Sequence, residues 1–207
     1  MQTGFKKEIE FKWRVSSPRD YKCFIIHAKK LGAQLKPPQK KSIKDFYLDT
    51  SDYLFSKTRT KCRLRLMNRH WELTQKTATI VNKGAATRGE KTKSLPNFPS
   101  YRKALTHCAK QILKGKKLEK VFTIENKRTA HTVILPGKVT AEVCFDNVKI
   151  FRGNKTIRMR EIELELIRGN LTHFNAFAHQ LTRLSGLELA RKSKVATALE
   201  AFPLLPS

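Results

Sequence analysis

Acidic residues are scarce in this chain, and their scarcity bounds the partners that the protein can have. The 207 residues include 17 Asp and Glu against 43 Lys and Arg, which gives a formal net charge of +26. A surface of this charge attracts polyanions such as nucleic acid, polyphosphate, phosphorylated metabolites or anionic lipid heads. A single run of lysines is as often only a solvated face, so the charge indicates a class of partner and nothing about the fold.

The sequence also shows no closely spaced cysteines and no long apolar run. The four cysteines, Cys23, Cys62, Cys108 and Cys144, show no CxxC or Cys/His spacing, which argues against a zinc site and a disulfide framework. No apolar stretch approaches the roughly 20 residues of a membrane span, and Met1–Arg14 has no apolar signal core. We therefore expect a reduced, cytoplasmic protein with no membrane partner.

Common catalytic signatures are absent as well. The chain has no GxSxG motif and no Walker-type glycine-rich loop, which argues against serine-hydrolase and P-loop chemistry. The histidines show no metal-binding spacing, so we interpret each of them as a surface or packing residue. They are His27, His70, His107, His131, His173 and His179.

Length and periodicity predict one α+β domain over residues 1–207, because apolar residues make up 40% of the chain and no linker divides it. Alternation predicts about eight strands, at Phe5–Val15, Ile43–Asp49, Lys61–Met67, His70–Thr77, Lys120–Asn126, Lys127–Leu135, Val139–Ile150 and Thr156–Ile167. Helical spacing and capping residues predict helices at Pro18–Leu31, Tyr101–Leu113 (ending near Gly115), Leu171–Leu184 and Lys192–Ala201. Val81–Pro99 is predicted to be a long basic loop.

The few acidic residues are sorted along the chain. Glu8 and Glu10 alternate in EIEFK, and Glu161, Glu163 and Glu165 alternate in REIELEL near the other end. Because a strand places residues i, i+2 and i+4 on one face, each run points its carboxylates in one direction. Like charges on one face repel, and a divalent cation such as Mg²⁺, which takes carboxylate oxygens, offsets that repulsion. Either run alone is also compatible with a strand that faces solvent.

Basic residues alternate in the middle of the chain, notably Arg63 and Arg65. About eight antiparallel strands can close into a barrel that is just wide enough for side chains or one small ligand. If the charged faces point inward, acids on one wall would hold a metal and bases on the other an anion, while helices cover the apolar outside. On this interpretation the chain forms a closed eight-stranded antiparallel barrel with flanking helices that binds a metal-bound polyphosphate. In an ordinary sandwich the charged faces would point to solvent instead.

The motifs of the chain resemble, in order, those of the CYTH, or triphosphate tunnel metalloenzyme, superfamily. EIEFK (Glu8–Lys12) resembles the ExExK signature of that family, and REIELEL (Arg160–Leu166) resembles its late strand with an ExE motif. The other matching segments are FYLDTSDYLFSK (Phe46–Lys57), CRLRL (Cys62–Leu66), WELTQK (Trp71–Lys76), TRGE (Thr87–Glu90), FTIENKRTAHTV (Phe122–Val133), VCFDN (Val143–Asn147) and Ser193-Lys194. ExExK alone is a weak signature, but the ordered set covers nearly the whole chain. Within the family, the residues of these motifs are most similar to those of the N-terminal domain of bacterial inorganic triphosphatases.

The resemblance implies an eight-stranded antiparallel tunnel that binds a triphosphate together with Mg²⁺ or Mn²⁺ and hydrolyses the terminal phosphate. It implies that the metal is held by carboxylates among Glu8, Glu10, Asp146, Glu161, Glu163 and Glu165. Two of the last three are expected to touch the metal, and which two is open. The residues that it assigns to catalysis are Glu8, Glu10, Lys12 and Asp146, the last as a metal ligand or as the group that activates water.

The same resemblance implies a set of cations that bind the triphosphate. They are Lys12, Arg63, Arg65, Lys76, Arg88, Arg128 and Lys194. Lys127 competes with Arg128 for one of these places, because adjacent strand residues face opposite ways and only one can point inward. The chain departs from the family pattern at Asn147, where Gly is frequent, and at Arg59-Thr60-Lys61, where a Gly turn often precedes the LRxR segment. Neither departure removes a charged ligand.

Other functions are compatible with the same sequence. An adenylyl cyclase, a thiamine triphosphatase or an RNA 5′-triphosphatase would use the same fold, and no base-recognition motif separates these alternatives. A non-catalytic polyphosphate or nucleic-acid binder would use the basic surface, and its binding would weaken steeply with salt. We expect a small triphosphate or polyphosphate as the partner and a monomer or homodimer as the assembly, with nucleic acid as a possible additional partner.

Overall fold

The computed structural model describes residues 5–112 and 117–204, which form ten strands and five helices. The strands are β1 (Lys6–Val15), β2 (Gln34–Leu35), β3 (Gln39–Thr50), β4 (Lys61–Met67), β5 (His70–Lys76), β6 (Ile80–Asn82), β7 (Ala85–Leu95), β8 (Leu118–Leu135), β9 (Val139–Arg152) and β10 (Lys155–Arg168). The helices are α1 (Pro18–Lys30), α2 (Leu54–Lys57), α3 (Tyr101–Ile112), α4 (Leu171–Ser185) and α5 (Lys194–Ala201). None of these five helices is long and apolar enough to cross a lipid bilayer.

Eight of the strands close into one antiparallel barrel. Their order around the barrel is β1, β10, β9, β8, β3, β4, β5 and β7, and β7 pairs again with β1. The two short strands lie outside this circuit, where β2 pairs with β8 and β6 pairs with β7. The predicted fold, a closed eight-stranded antiparallel barrel with flanking helices, is confirmed.

The barrel closes through a segment that the sequence pattern assigns wrongly. Val81–Pro99 is predicted to be a loop, but Ala85–Leu95 within it forms β7, which pairs with β1 on one side and β5 on the other. The prediction is wrong because the outward positions of β7 include Thr87 and Gly89 instead of a series of apolar residues. The strand therefore shows no apolar alternation, and backbone hydrogen bonds to its two neighbours hold it in place.

Smaller differences concern element boundaries and short elements, since β2 and β6 have no counterpart in the prediction. The two strands predicted at Lys120–Asn126 and Lys127–Leu135 are one continuous strand, β8. The four-residue helix α2 has no counterpart in the prediction. The predicted end of the third helix, at Leu113 and near Gly115, lies outside the described residues.

Helices α1 and α4 cover the outward apolar face of β1. Phe11 and Trp13 alternate with the charged residues of that strand, and both are completely buried. The ring centroid of Trp13 lies 4.9 Å from that of Phe24 in α1, and the centroid of Phe11 lies 5.8 Å from that of Phe174 in α4. Truncating a buried aromatic side chain of this kind costs about 3–5 kcal/mol. Packing on the outside therefore fixes which face of β1 points into the barrel.

Helices α3 and α5 pack on the barrel in different ways. Cys108 of α3 belongs to one buried apolar cluster with the outward side chains of Leu64 and Trp71 in β4 and β5. In contrast, Val195 of α5 belongs to one apolar cluster with Ile124, and both residues line the barrel interior. The first turn of α5 and the residue before it consequently lie beside the barrel interior.

A buried carboxylate anchors the connection from β3 to α2. Asp49 accepts hydrogen bonds from the backbone N–H groups of Thr50, Phe55 and Ser56 at 2.8, 2.9 and 3.0 Å. The Ser56 hydroxyl donates a further hydrogen bond of 2.6 Å to the same carboxylate. One side chain thereby satisfies three backbone donors that would otherwise be buried without partners.

We expect Asp49→Asn to lower the free energy of unfolding by about 1–3 kcal/mol, because the amide NH₂ replaces one of the two accepting oxygens and leaves the two donors of that oxygen unsatisfied. Chemical denaturation followed by circular dichroism measures the change. The control is Glu125→Gln, which breaks a half-exposed ion pair with Lys44 at 2.9 Å and should cost less than about 1 kcal/mol. Equal losses in the two variants would contradict the anchoring role of Asp49.

A charged tunnel as the candidate active site

The interior of the barrel is lined by charged side chains around a cavity of about 150 Å³. We call these inward residues the tunnel lining. Its carboxylates are Glu8, Glu10, Asp45, Glu90, Asp146, Glu161, Glu163 and Glu165. Its cations are Lys12, Lys61, Arg63, Arg65, Lys76, Arg88, Arg128 and Lys194. The two sets are equal in number, so the tunnel lining has no net formal charge.

Three carboxylates of the tunnel lining converge on one wall. Asp146 of β9 lies opposite Glu161 of β10 in the antiparallel register, and Glu163 follows two residues later on the same face. One oxygen from each of the three lies within 4.8 Å of the others, and all three residues are buried. We call this group the carboxylate cluster. Oxygen ligands at such a spacing suit a hard divalent cation.

The ammonium group of Lys194, in the first turn of α5, lies within this carboxylate cluster. Its Nζ is 2.7 Å from Asp146 Oδ2, 2.5 Å from Glu161 Oε1 and 2.9 Å from Glu163 Oε1. Arg128 donates two further hydrogen bonds to Asp146, of 2.7 and 2.6 Å. Burial by itself raises the pKa of Asp146, but the charges of Lys194 and Arg128 outweigh it and lower that pKa.

Glu161 is the least compensated member of the carboxylate cluster. Its Oε1 forms the ion pair with Lys194, yet neither of its oxygens accepts a hydrogen bond from a described residue. Burial raises the pKa of Glu161 above its usual value. A fully buried carboxylate with unused lone pairs is a suitable metal ligand, so the carboxylate cluster fits a divalent cation.

Glu8 and Glu10 form a second acidic group on β1. Arg88, opposite Glu8 in the register, donates hydrogen bonds of 2.8 Å from Nε and Nη2 to the two Glu8 oxygens. Lys76 Nζ lies 2.9 Å from Glu8 Oε2, and Arg88 Nη2 lies 2.7 Å from Glu10 Oε1. Burial opposes the ionisation of Glu8, but Arg88 and Lys76 hold its pKa well below the usual range. Lys12, with its Nζ 3.1 Å from Glu10, also contacts the carboxylate cluster and links the two groups.

Glu165 lies apart from the carboxylate cluster. It is opposite Glu10 in the register, and no cation among the described residues lies within ion-pair distance of it. Burial, followed by repulsion from three neighbouring glutamates, raises the pKa of Glu165 to about 7. The structure thus places Glu161 and Glu163 in the carboxylate cluster and leaves Glu165 outside it.

Arginines of β4 form the opposite wall of the tunnel. Arg65 donates hydrogen bonds of 2.7 and 2.9 Å from Nε and Nη2 to the two oxygens of Asp45 in β3. Arg63 Nη1 lies 3.5 Å from the same carboxylate, while its Nε has no hydrogen-bond partner among the described residues. Burial opposes the charge of Arg63, but Asp45 outweighs that effect and raises its pKa. Unused guanidinium donors in a tunnel can bind phosphate oxygens.

The structure also decides between the two neighbouring cations of β8. Arg128 points inward and contacts Asp146 and Glu163. Lys127 is exposed on the outside of the barrel. Every residue predicted to bind triphosphate therefore belongs to the tunnel lining, although the predicted roles themselves remain predictions.

Three residues of the tunnel lining have no place in the sequence-based prediction. Asp45 pairs with the β4 arginines, Glu90 contacts Lys76, and Lys61 lies beside Ser193. Each of the three lies on a barrel strand that also carries other inward residues. The two-residue period of a strand would have identified Lys61 from the β4 arginines. It could not identify Glu90, because the segment that holds Glu90 is predicted to be a loop.

The chain matches the family model described as CYTH domain over residues 6–199. Among curated proteins, none matches it by sequence. Several solved structures share its fold. The PH1819 protein of Pyrococcus horikoshii OT3 is 19% identical, with a TM-score of 0.63 and coverage of 93% of this chain and 98% of that one.

Two further structures have triphosphatase activity in their descriptions. A Hippeastrum protein, whose description reports a dominant triphosphatase activity, is 15% identical, with a TM-score of 0.64 and coverage of 96% of this chain and 98% of that one. The triphosphatase of the Mimivirus capping enzyme is 12% identical, with a TM-score of 0.54 and coverage of 89% and 91%. At these identities the likeness concerns the fold. Since the family model spans nearly the whole chain, the protein belongs to the CYTH domain family.

Proposed function

We propose that this protein is a metal-dependent triphosphatase that hydrolyses inorganic tripolyphosphate or a related small triphosphate inside the tunnel. The observation that carries the proposal is the position of the carboxylate cluster, which faces a wall of arginines within one closed barrel. A metal-bound polyphosphate needs both kinds of group, because the metal takes carboxylate oxygens and the phosphates take cations. The family includes members described as triphosphatases and as adenylyl cyclase-like proteins, which is consistent with this chemistry.

In this proposal Asp146, Glu161 and Glu163 hold the metal, with Glu8 and Glu10 of the neighbouring strand as the next carboxylates along the tunnel. When bound, Mg²⁺ or Mn²⁺ supplies positive charge to the phosphate oxygens and polarises the phosphoryl group. The ammonium of Lys194 is no longer needed among the carboxylates once they are otherwise neutralised. It can then bind a phosphate oxygen.

The cations of the tunnel lining position the triphosphate. Arg63, Arg65 and Arg128 present planar guanidinium groups that suit bidentate contact with phosphate oxygens. Lys12 and Lys76 add point charges from two other strands. Phosphoryl transfer is catalysed mainly by positioning and by neutralising charge, so a rigid lining of this kind supplies what the reaction requires. A carboxylate of the lining orients the attacking water.

The charge of the molecule outside the tunnel supports a second candidate function, binding of a nucleic acid or another long polyanion. The tunnel lining is neutral overall, so the entire formal charge of +26 belongs to residues outside it. A triphosphate bound inside the barrel does not neutralise that charge. Exposed lysines and arginines bind a phosphate backbone without regard to sequence.

A matched pair of adjacent substitutions tests the triphosphatase proposal. We expect Arg128→Ala to lower kcat/KM for tripolyphosphate about 100-fold or more, because it removes a charged phosphate contact, whereas Lys127→Ala on the outer face should leave it unchanged. Phosphate release is measured with Mg²⁺, with Mn²⁺ and with EDTA. Cyclic AMP produced from ATP in place of phosphate would favour the cyclase. Absence of metal-dependent phosphate release from tripolyphosphate, ATP and thiamine triphosphate would overturn the enzyme assignment.

Removing the ammonium from the carboxylate cluster tests the metal site. We expect Lys194→Met to bind Mn²⁺ about tenfold or more tightly in the absence of substrate, a gain of about 1.4 kcal/mol, because no ammonium competes for the carboxylates. The same variant should hydrolyse tripolyphosphate more slowly, since a phosphate contact is lost. Calorimetry on EDTA-stripped protein gives the affinity. Lys192→Met, which removes an exposed partner of Glu200, is the control. Weaker Mn²⁺ binding by Lys194→Met would contradict a metal position at the carboxylate cluster.

The exterior charge is tested separately from the tunnel. We expect the affinity for a single-stranded RNA that ends in a 5′-hydroxyl to fall about 100-fold or more between 50 and 200 mM salt. Arg128→Ala should bind this RNA as the wild type does, because the residue lies inside the barrel. Fluorescence anisotropy measures both quantities. Affinity that does not change with salt would exclude the second candidate.

A further inference from the structure

A second and larger cavity, of about 400 Å³, adjoins the tunnel. We call it the side chamber. Both cavities are lined by Lys12, Tyr47, Lys61 and Ser193, so they share one wall. Lys61, the first residue of β4, therefore lies at the junction between the charged tunnel and the side chamber.

Lys61 differs from every other cation of the tunnel lining. The other seven each lie within 4 Å of a carboxylate oxygen. Lys61 has no carboxylate within that distance among the described residues, and its Nζ contacts only the Ser193 hydroxyl, at 3.4 Å. The charged groups that act on it are Arg88, Lys12, Lys76 and Glu10. Burial and the three neighbouring cations lower its pKa to about 8. A cation that is held among other cations without a counter-ion is stabilised by an anionic ligand.

Much of the wall of the side chamber is apolar, whereas the walls of the tunnel are charged. Phe55, Phe122 and Leu199 face it from α2, β8 and α5. A β-bulge in the pairing of β3 with β8 leaves Val121 without a partner, since Tyr47 pairs with Phe122 and Leu48 pairs with Lys120. The bulge turns the side chain of Val121 toward the side chamber, next to Phe122. Phosphate would lose its hydration against such walls, whereas an uncharged organic group gains from burial there.

The charges around the side chamber restrict the organic group further. Exposed Arg59, Arg191 and Lys192 belong to its lining. In total six cations and two acidic residues line it. One of the two acidic residues, Asp49, already accepts one hydrogen bond from Thr50 at the end of β3 and three from α2. A positively charged ring would be repelled in this setting. A neutral ring would not be repelled.

We propose that the ligand is a triphosphate ester with a neutral organic group, whose ester-linked phosphate binds Lys61 and whose organic group occupies the side chamber. This inference rests on the proposed triphosphatase function and narrows its substrate class. The tunnel would hold the phosphates that are to be cleaved, and the chamber would select the group that carries them. Inorganic tripolyphosphate would use the tunnel alone.

The test compares tripolyphosphate, ATP and thiamine triphosphate as substrates and as ligands. We expect kcat/KM to be at least tenfold higher for ATP than for tripolyphosphate and lower for thiamine triphosphate than for ATP. Ala196 lies at an exposed position of α5 that lines the side chamber, so Ala196→Phe narrows the chamber. We expect this variant to lower kcat/KM for ATP at least tenfold more than it lowers kcat/KM for tripolyphosphate. Ala201→Phe, at the exposed end of the same helix, is the control and should change neither value.

Lys61→Met tests the junction itself. We expect its affinity for ATP to fall at least tenfold, whereas Lys57→Met, an exposed lysine at the end of α2, should bind ATP as the wild type does. At pH 8.5 wild-type protein should take up protons as ATP binds, because an anion raises the pKa of Lys61, and Lys61→Met should lose this uptake. Calorimetry in two buffers of different ionisation enthalpy measures it.

The outcomes separate this inference from the proposed function. If tripolyphosphate is hydrolysed and Ala196→Phe lowers kcat/KM equally for ATP and tripolyphosphate, the proposed role of the side chamber is wrong and the proposed triphosphatase function still stands. A preference for long-chain polyphosphate over ATP would also overturn it. If no substrate is hydrolysed, the proposed triphosphatase function is wrong. The inference is then decided by ATP binding alone: weaker binding by Lys61→Met and Ala196→Phe would support it, and unchanged binding would overturn it.

Discussion

The contact on which the rest of the site depends is the ion pairing between Lys194 and the carboxylate cluster. Asp146, Glu161 and Glu163 are buried within a few ångströms of one another, and three carboxylates in such a space repel strongly unless positive charge lies among them. Lys194 supplies that charge at 2.5–2.9 Å from all three. The same requirement makes the cluster a site for a divalent cation, because the metal and the ammonium satisfy one electrostatic need.

The barrel makes this arrangement possible by separating two kinds of packing. Apolar groups such as Phe11 and Trp13 stabilise the fold from outside, under α1 and α4, while the charged groups of the same strand face inward. Residues that stabilise the fold therefore alternate with residues of the candidate site along one strand. A change in one set need not alter the other set. Closure between β7 and β1 brings Arg88 against Glu8, so this contact between an acidic and a basic strand forms only because the sheet has no edge.

Much of this architecture can be predicted from the sequence, because strict alternation marks β1, β4 and β10. The strand that closes the barrel could not be predicted in this way, since Thr87 and Gly89 occupy outward positions where apolar residues are usual. Glu161 and Glu163 belong to the carboxylate cluster and Glu165 does not, because Asp146 lies opposite Glu161 on the neighbouring strand. The spacing of residues along one strand carries no information about its neighbour. Among the described residues no carboxylate lies within 4 Å of Lys61, and this too depends on three-dimensional placement.

The most direct test of the account is the anomalous X-ray scattering of Mn²⁺ in crystals grown with a non-hydrolysable triphosphate. The account predicts one strong peak within coordination distance of oxygens from Asp146, Glu161 and Glu163, with the Lys194 ammonium moved to a phosphate oxygen. A peak elsewhere in the tunnel, or no peak while Lys194 stays among the three carboxylates, would contradict it.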